Sequence, residues 1–230
     1  MTRKLAIFDW NGTLLDDTEA NLIGFNNCLK LFDKPEISIE QYRNTMDFPL
    51  VHVYTRNGIN PDDYLKNFED ADKAFQDIYV IEAKKAPLRK GTVDLLDYLL
   101  TENYDLMILS NQRIYDLNNQ IAERHIHHYF KYISGNEGYD PSHFTRMTKA
   151  DRFKKFWAEH DYDPAQSFII GDSLEEPEVA SHFGLMAVAV SWGIISKERL
   201  LKANPAIMLD ELSELMHYFK NQKTIKVSAQ

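Results

Sequence analysis

Short hydrophobic runs in this chain end repeatedly at small polar residues. Four such runs occupy residues 5–10, 106–109, 168–170 and 187–190. The polar residues that follow them read Asn-Gly-Thr, Ser-Asn, Gly-Asp-Ser and Ser-Trp-Gly, and amphipathic stretches separate the runs. Brief apolar runs between helical patterns are typical of strands that are buried on both faces of a parallel sheet. The pattern therefore predicts an open α/β sheet.

A helical pattern without strands lies between the first and second runs. Apolar residues from Leu22 to Phe32 recur every three or four positions, which is the spacing of one helix face, and Asp17 or Thr18 precedes them as a cap. Further helical patterns cover residues 39–44, 50–56 and 61–84. We expect these helices to form an inserted lobe over residues 17–85, and the alternative is that they simply pack on the sheet.

The remaining segments, residues 1–16 and 86–230, are expected to form the α/β core. Helical patterns in the second of these segments cover residues 93–100, 150–159, 198–201 and 211–219. The core would thus be discontinuous in sequence and interrupted by the helical lobe.

Charge and composition narrow the class of protein. The 230 residues include 26 basic and 35 acidic side chains, a net charge of −9, which argues against a nucleic-acid-binding protein with a broad basic surface. The single cysteine, Cys28, excludes an internal disulfide and a multi-cysteine zinc site. Since no apolar run reaches the roughly 18 residues of a membrane span and the first residues lack a signal-peptide pattern, we expect a cytoplasmic protein without a membrane partner. A monomer and a homodimer are both compatible with the sequence.

Two carboxylates lie at the ends of predicted strands. Asp9 closes the first run and Asp172 follows the third, while Ser110 and Asn111 follow the second. Ligands of open α/β sheets bind outside the carboxyl ends of the strands. One such carboxylate is weak support for a site, but two of them, with polar residues on another strand end and a later lysine, predict a functional site at this edge of the sheet.

Three segments resemble the motifs of one enzyme superfamily. Residues 9–14, DWNGTL, are similar to the first motif of the haloacid dehalogenase-like (HAD) hydrolases, normally Asp-x-Asp-Gly-Thr; residues 110–111 resemble the second motif and residues 171–176, GDSLEE, the fourth. The helical insert falls where the phosphoglycolate phosphatase-like members carry a cap. The resemblance implies a Rossmann-like open parallel sheet core with an inserted α-helical cap domain, and hydrolysis of small phosphate monoesters.

The resemblance also implies a mechanism. Asp9 would attack phosphorus and form an aspartyl-phosphate, which divides one hard displacement into two easier ones. Mg²⁺ is the expected cofactor, because it prefers hard oxygen ligands and substrate phosphate. The implied metal ligands are Asp9, Asp172 and the backbone carbonyl of Asn11, with Glu176 orienting the water shell of the metal.

Further residues are expected to hold the substrate, a small phosphorylated metabolite. Ser110, Thr13 and nearby N–H groups would bind the phosphoryl oxygens. Asn111 belongs to the same motif as Ser110 and is expected in the substrate site. Arg113, just past that motif, would either reach a substrate anion or form a surface salt bridge.

A lysine completes the site in the family by neutralising charge on the nucleophile and the transferred group. The usual Lys-Pro sequence is missing from this chain. Lys149, at the start of a predicted helix, is the expected catalytic lysine, and Lys154 and Arg146 are the alternatives.

Asn11 is the main departure from the family pattern. The family's phosphatases have an aspartate at this catalytic position, whose carboxyl protonates the leaving alcohol and then activates water. An amide does not exchange a proton at useful pH, so general acid–base help of about 10²–10⁴-fold is at risk. On this ground we expect Asn11→Asp to raise turnover.

Several interpretations of Asn11 stay open from the sequence. The chain is a slow phosphatase, an enzyme for leaving groups that need little protonation, a protein that only binds a phosphorylated ligand, or a chain in which this residue was changed or deamidated. A carbon–halogen hydrolase of the same superfamily would tolerate Asn11 but would not need the metal-site character of residues 171–176. We favour a Mg²⁺-dependent phosphatase, with phosphoglycolate as the substrate that the family suggests.

Overall fold

A six-stranded parallel sheet forms the centre of the protein in a computed structural model that describes residues 3–138, 141, 145 and 149–228. The strands are β1 Lys4–Phe8, β2 Tyr104–Arg113, β3 Tyr132–Asn136, β4 Phe168–Gly171, β5 Met186–Val190 and β6 Ile207–Leu209. Their order across the sheet is β3-β2-β1-β4-β5-β6, and every neighbouring pair is parallel. The predicted open α/β sheet is confirmed.

The order of the strands defines where a ligand can bind. The chain builds outward from β1 to β3 on one side and from β4 to β6 on the other, so the direction reverses between β1 and β4. In open α/β sheets the crevice outside such a reversal point is the usual binding position. The residues that follow β1, β2 and β4 therefore meet at one edge of the sheet.

Five helices follow β1 before the chain returns to the sheet. They are α1 Thr18–Leu31, α2 Ile39–Thr45, α3 Val51–Arg56, α4 Pro61–Lys66 and α5 Phe68–Lys85. The predicted helix over residues 61–84 is divided at Asn67, whose side-chain amide donates to the carbonyl of Asp63 at 2.8 Å and so competes with the helical hydrogen bonds. No strand interrupts the described residues of this segment, as the sequence predicts.

Most of the other helices pack on the sheet. These other helices are α6 Thr92–Thr101, α7 Ile114–Glu123, α8 Lys149–Glu159, α9 Glu175–Phe183, α10 Lys197–Lys202 and α11 Ser213–Ser228. Along β1, Ala6 and Phe8 pack into one hydrophobic cluster and Leu5 and Ile7 into another. This alternation follows from the pleat, which sends successive side chains to opposite faces. Both faces of the sheet are therefore buried.

The helical segment also contacts the core. A hydrophobic cluster centred on α1–α4 includes Ile194, Ile195 and Leu200 from the segment after β5. The guanidinium of Arg43 donates to the carbonyls of Trp192 at 2.7 Å and Gly193 at 2.9 Å. The buried side chains of the helical segment thus form one hydrophobic cluster, and residues of the core that follow β5 complete it.

Two strands were not predicted, and both lie at the edges of the sheet. β3 and β6 are short, and most of their residues are only partly buried. Edge strands are covered less completely than central ones, so they lack the continuous apolar run on which the prediction relied. Within the part of the chain that the structure describes, no helix is both long and apolar enough to span a bilayer.

Candidate active site

Asp9 lies at the carboxyl end of β1, beside β4. Its backbone N–H donates to the carbonyl of Ile170 at 2.9 Å, and its side chain accepts from the N–H of Trp10 at 2.8 Å. The chain then turns sharply through Gly12, which has a φ of 69°. A Cβ at Gly12 would lie 2.1 Å from Oδ2 of Asp172, so only glycine lets the loop approach that carboxylate.

Lys149, the first residue of α8, reaches the same place. Its side chain is 1% exposed, and its Nζ is 3.3 Å from Oδ2 of Asp9, 2.5 Å from Oε1 of Glu176 and 3.7 Å from Oε2 of Glu175. Burial alone would lower the pKa of Lys149, but the three carboxylates raise it above its ordinary value. Lys149 is therefore a buried ammonium ion held among carboxylates.

The carboxylates around Lys149 outnumber it. Burial raises the pKa of Asp9 to about 6 against the opposing effect of Lys149, and it raises the pKa of Glu175 to about 7. Burial, together with the charges of Asp9 and Glu176, also holds the pKa of Asp172 well above its usual range. Burial is the largest cause of all three shifts, and the charges of neighbouring carboxylates add to it.

Asp172 follows β4 and is fully buried. Its Oδ1 accepts from the hydroxyl of Thr13 at 3.1 Å, and its Oδ2 accepts from the N–H of Ile194 at 2.7 Å. A Cβ at Gly193 would lie 2.0 Å from Oδ2 of Asp172, which explains the glycine there. The loops after β1, β4 and β5 thus close around this carboxylate.

Glu176 has both carboxylate oxygens engaged. Oε1 accepts from Lys149 at 2.5 Å, and Oε2 accepts from the N–H and hydroxyl of Ser173 at 3.0 and 2.7 Å. Although burial would raise the pKa of Glu176, Lys149 holds it below the ordinary value. In this arrangement Glu176 fixes the position of Lys149.

The last residues of β2 supply two polar side chains that line the same cavity as Asp9. The hydroxyl of Ser110 donates to Oδ1 of Asn11 at 3.3 Å and accepts from the N–H of Gln112 at 3.0 Å. The amide of Asn111 donates to Oε2 of Glu175 at 2.5 Å. The second strand end therefore contacts both the first loop and α9.

The other predicted basic residues lie elsewhere. Arg113 pairs with Asp72 of α5 at 2.5 Å, so it takes part in a salt bridge between the core and the helical segment. Lys154 is exposed on α8. Arg146 lies outside the described residues.

Asn11 is held by an extended set of hydrogen bonds. Its amide nitrogen donates to Oδ2 of Asp17 at 2.8 Å and to the hydroxyl of Tyr79 at 2.7 Å. Because Oδ1 also accepts from Ser110, both amide hydrogens and one of the two lone pairs of the amide oxygen are engaged in hydrogen bonds. The orientation of Asn11 follows from these partners, because an amide turned the other way would place its oxygen against a carboxylate.

Asp17 and Tyr79 are members of this site that the sequence did not reveal. Asp17 or Thr18 was expected to cap α1. Asp17 lies at the cap position, but its side chain makes no capping bond and instead accepts from the N–H of Gly12 at 2.7 Å and from the hydroxyl of Tyr79 at 2.8 Å. Tyr79 also accepts from Gln120 at 3.4 Å. Asp17 could have been found from the sequence, because it is a second acidic residue close to the first motif.

A cavity opens above Asp9, between the edge of the sheet and the helices of the insert. The predicted residues that line it are Asp9, Asn11, Ser110, Asn111 and Lys149. Thr13, Arg113, Asp172 and Glu176 are not among the lining residues. Glu175, to which the sequence assigned no role, lines the cavity beside Lys149.

The site contains unsatisfied acceptors that suit a cation or a donor. Oε1 of Glu175 and Oδ1 of Asn111 are buried and have no hydrogen-bond partner within the part of the protein that the structure describes. Over the same residues, no three histidine, cysteine, aspartate or glutamate side chains converge as a complete metal site. Mg²⁺ commonly binds through one or two carboxylates together with substrate phosphate, so it does not need such a set.

The chain belongs to the haloacid dehalogenase-like hydrolase family, whose model matches residues 6–190. This confirms the family that the motifs suggested. Phosphoglycolate phosphatase of Synechococcus elongatus is 23% identical over 210 residues, covering 91% of this chain and 94% of the relative. The probable phosphatase IndB of Dickeya dadantii is 22% identical over 219 residues, covering 93% and 92%.

Solved structures share the fold. A haloacid dehalogenase-like hydrolase family protein of Streptococcus pneumoniae superposes with a TM-score of 0.76 at 24% identity, over 94% of this chain and 98% of that one. A predicted phosphoglycolate phosphatase of Haemophilus somnus does so with a TM-score of 0.69 at 18% identity, over 95% and 99%. The fold is therefore shared with these structures over nearly the whole chain.

Proposed function

We propose that this hydrolase is a Mg²⁺-dependent phosphatase of small phosphate monoesters that works through an aspartyl-phosphate on Asp9. The observation that carries the proposal is the pair at the floor of the cavity, where the Asp9 carboxylate and the Lys149 ammonium lie 3.3 Å apart. A carboxylate nucleophile and a phosphate repel each other, and a buried ammonium ion reduces that repulsion. The names of the phosphatase relatives support the same reaction class.

The chemistry of the donors suits Mg²⁺. Among the described residues at the site, four carboxylates are buried, those of Asp9, Asp172, Glu175 and Glu176, and they outnumber the two cations that interact with them, Lys149 and Arg152. We assign the metal to Asp9, Asp172 and the backbone carbonyl of Asn11, with Glu176 acting on the site through Lys149. When bound, Mg²⁺ would screen the negative charges and polarise a phosphoryl oxygen.

The side chains around Asp9 divide the remaining tasks. Ser110 and Asn111 line the cavity and would bind phosphoryl oxygens, Ser110 by turning its one hydroxyl hydrogen from Asn11 to the phosphate, while Thr13 holds Asp172 in place through its hydroxyl. In the first step an oxygen of Asp9 bonds to phosphorus and the bond from phosphorus to the ester oxygen breaks. In the second step water attacks phosphorus, which releases inorganic phosphate and restores Asp9.

Asn11 positions groups in this mechanism and supplies no proton. Its amide hydrogens point at Asp17 and Tyr79, so the leaving alcohol takes its proton from water. We expect a slow phosphatase for this reason, since general acid catalysis contributes about 10²–10⁴-fold where it operates. The same feature favours a second candidate function, that of a protein which binds a phosphorylated ligand without hydrolysing it.

We also propose that residues 17–85 act as a cap over the core formed by residues 1–16 and 86–230. The cavity lies between the two, and closing it over a bound ester would exclude water. Arg43 and Arg199 support a closed arrangement, because Arg43 donates to carbonyls after β5 and Arg199 pairs with Asp47 at 2.8 Å.

Phosphate release from a panel of phosphate esters, including phosphoglycolate, tests the function with and without Mg²⁺. Hydroxylamine trapping would detect an acyl phosphate on Asp9. We expect Asp9→Asn to lower kcat by at least about 10⁴-fold, and Asp94→Asn, at an exposed aspartate of α6, to leave it unchanged. Tight binding of a phosphorylated ligand without any release of phosphate would instead favour the second candidate function. Wild-type rates in Asp9→Asn would remove Asp9 from the mechanism.

A further inference from the structure

The cavity above Asp9 has two walls of different chemistry. The wall from the core is polar and includes Asp9, Ser110, Asn111 and Lys149. The wall from the helical segment is built from aromatic and aliphatic side chains, among them Phe25, Met46, Leu50, Tyr54, Tyr64 and Phe75. A bound molecule would therefore meet charge at one end and hydrocarbon at the other.

The aromatic rings of the second wall support one another. Tyr54 packs against Phe25 with ring centroids 5.3 Å apart and against Tyr64 at 4.1 Å, and Phe75 stacks on Tyr79 at 5.2 Å. Aromatic pairs at such separations are favourable beyond the area that they bury. The wall is thus a packed surface that does not need a ligand to assemble it.

The polar groups on this wall are neutral. They are the tyrosine hydroxyls and the amides of Asn21 and Gln76, and no described cavity-lining residue of the helical segment is charged. The nearby guanidinium groups have other partners, since Arg113 pairs with Asp72 and Arg43 donates to backbone carbonyls after β5. A second anionic group of a substrate would be buried there without a cation, which is costly.

We propose that the natural substrate is the phosphate monoester of an uncharged, apolar alcohol, with an aromatic or alkyl group, and not an ester with a second acidic group such as phosphoglycolate. This inference rests on the proposed function, because the phosphate must lie at Asp9 for the other end to reach the aromatic wall. Apolar area that leaves water against this wall stabilises the complex in proportion to its size.

The test compares esters whose leaving alcohols have similar acidity, namely ethyl phosphate, 2-phenylethyl phosphate and phosphoglycolate, in the presence of Mg²⁺. We expect kcat/KM for 2-phenylethyl phosphate to exceed that for each of the other two by roughly 10–100-fold. Equal or higher kcat/KM for phosphoglycolate would overturn the inference while leaving the phosphatase intact.

Binding of unreactive analogues separates the inference from the proposed function. The phosphonates that replace the ester oxygen by a methylene group are 3-phenylpropylphosphonate and 3-phosphonopropionate, and calorimetry measures their Kd with Mg²⁺. Tighter binding of the phenyl compound supports the inference even if no ester is hydrolysed. Equal or tighter binding of 3-phosphonopropionate overturns it.

A variant of the neutral wall gives a further control. Gln76 lines the cavity and is partly buried on α5. Gln76→Lys would place a cation on the wall, and we expect kcat/KM for phosphoglycolate to rise about tenfold and that for 2-phenylethyl phosphate to fall. The matched neutral variant Gln76→Met should keep the preference for the phenyl ester, and a preference that is the same in both variants would contradict the inference.

Discussion

Two buried aspartates lie at the ends of the loop between β1 and α1, and they have different kinds of partner. Asp9 faces the ammonium group of Lys149 and lines the cavity. Asp17 is 1% exposed and accepts hydrogen bonds from neutral donors, which are one backbone N–H, two side-chain amides and one phenol. The two carboxylates are close in sequence, but one is paired with a cation and the other only with neutral hydrogen-bond donors.

The partners explain the difference. Burial raises the pKa of both aspartates, and it is opposed by Lys149 at Asp9 and by hydrogen bonds from Asn11 and Gly12 at Asp17. A carboxylate paired with an ammonium ion 3.3 Å away keeps an oxygen that can react, whereas a carboxylate with four donors has its oxygens occupied. Asp9 is therefore suited to chemistry, and Asp17 is suited to hold the loop and α5 in place.

Replacing Lys149, the cation beside Asp9, is expected to have the largest effect on stability and activity. Lys149→Met leaves Asp9, Glu175 and Glu176 buried without the ammonium ion that pairs with them, so we expect the free energy of unfolding to fall by about 3–5 kcal/mol at neutral pH. We also expect kcat to fall by about 10²–10³-fold. Urea denaturation and Mg²⁺-dependent phosphate release measure the two effects, and Lys154→Met, at an exposed lysine of the same helix, is the matched control.

The stability loss in Lys149→Met should depend on pH. Without the cation, the buried carboxyl groups have higher pKa values in the folded state than in the unfolded state. They therefore destabilise the fold increasingly as the pH rises from the unfolded-state pKa to the folded-state pKa. The deficit should therefore be smaller near about pH 5 than near about pH 8. A deficit that does not change with pH would show that lost packing, and not charge, is responsible.

Substitutions that exchange the amide of Asn11 and the carboxylate of Asp17 test the hydrogen bonds around Asp17. We expect their effect on stability to be smaller than that of Lys149→Met. From the sequence we expected Asn11→Asp to raise turnover, but the contacts of Asn11 change that expectation for the single variant. It would place a carboxylate about 3 Å from that of Asp17, so we expect a loss of about 1–3 kcal/mol in stability and no gain in kcat.

The double variant Asn11→Asp/Asp17→Asn restores one amide and one carboxylate to the pair. We expect it to recover about 0.5–3 kcal/mol through coupling of the two sites and to raise kcat by up to about 10²-fold, because position 11 then carries an exchangeable proton. Denaturation and steady-state kinetics of the complete mutant cycle measure this. Additive changes in stability would contradict the coupling.

Removing the phenol alone should have the smallest effect. Tyr79→Phe takes one donor from Asp17 and one acceptor from Asn11, and we expect a loss of about 1–2 kcal/mol in the free energy of unfolding with the chemical step nearly unchanged. Phe75→Leu, at the ring that stacks on Tyr79, reports the contribution of packing without loss of a hydrogen bond. A large fall in kcat in Tyr79→Phe would mean that the phenol contacts the reacting groups.

The central strands of the sheet could be predicted because strands that are buried on both faces consist of consecutive apolar residues. Strands β1, β2, β4 and β5 lie at or next to the middle of the sheet, covered on both faces, and each leaves a run of apolar residues. The edge strands β3 and β6 leave no such run. The break at Asn67 also escaped prediction, because it depends on the orientation of one amide rather than on hydrophobic spacing.

The motifs alone indicated Asp9, Ser110, Asn111 and Asp172 as candidates for one site, since the polar residues after parallel strands share an edge of the sheet. They did not distinguish residues that line the cavity from residues that support it. The structure places Lys149 and Glu175 in the cavity, and it places Glu176 behind Lys149. That division depends on side-chain directions, which the spacing of residues does not encode.

The sequence by itself determined the parallel sheet, the helical insert and the set of acids at one edge, because each of these depends on local patterns of burial and punctuation. Tertiary structure alone decided that Asn11 bonds to Asp17 and Tyr79 and that an aromatic wall faces the charged floor. The physical reason is that these features depend on contacts between segments far apart in the chain. Such contacts become defined only when the helices pack over the end of the sheet.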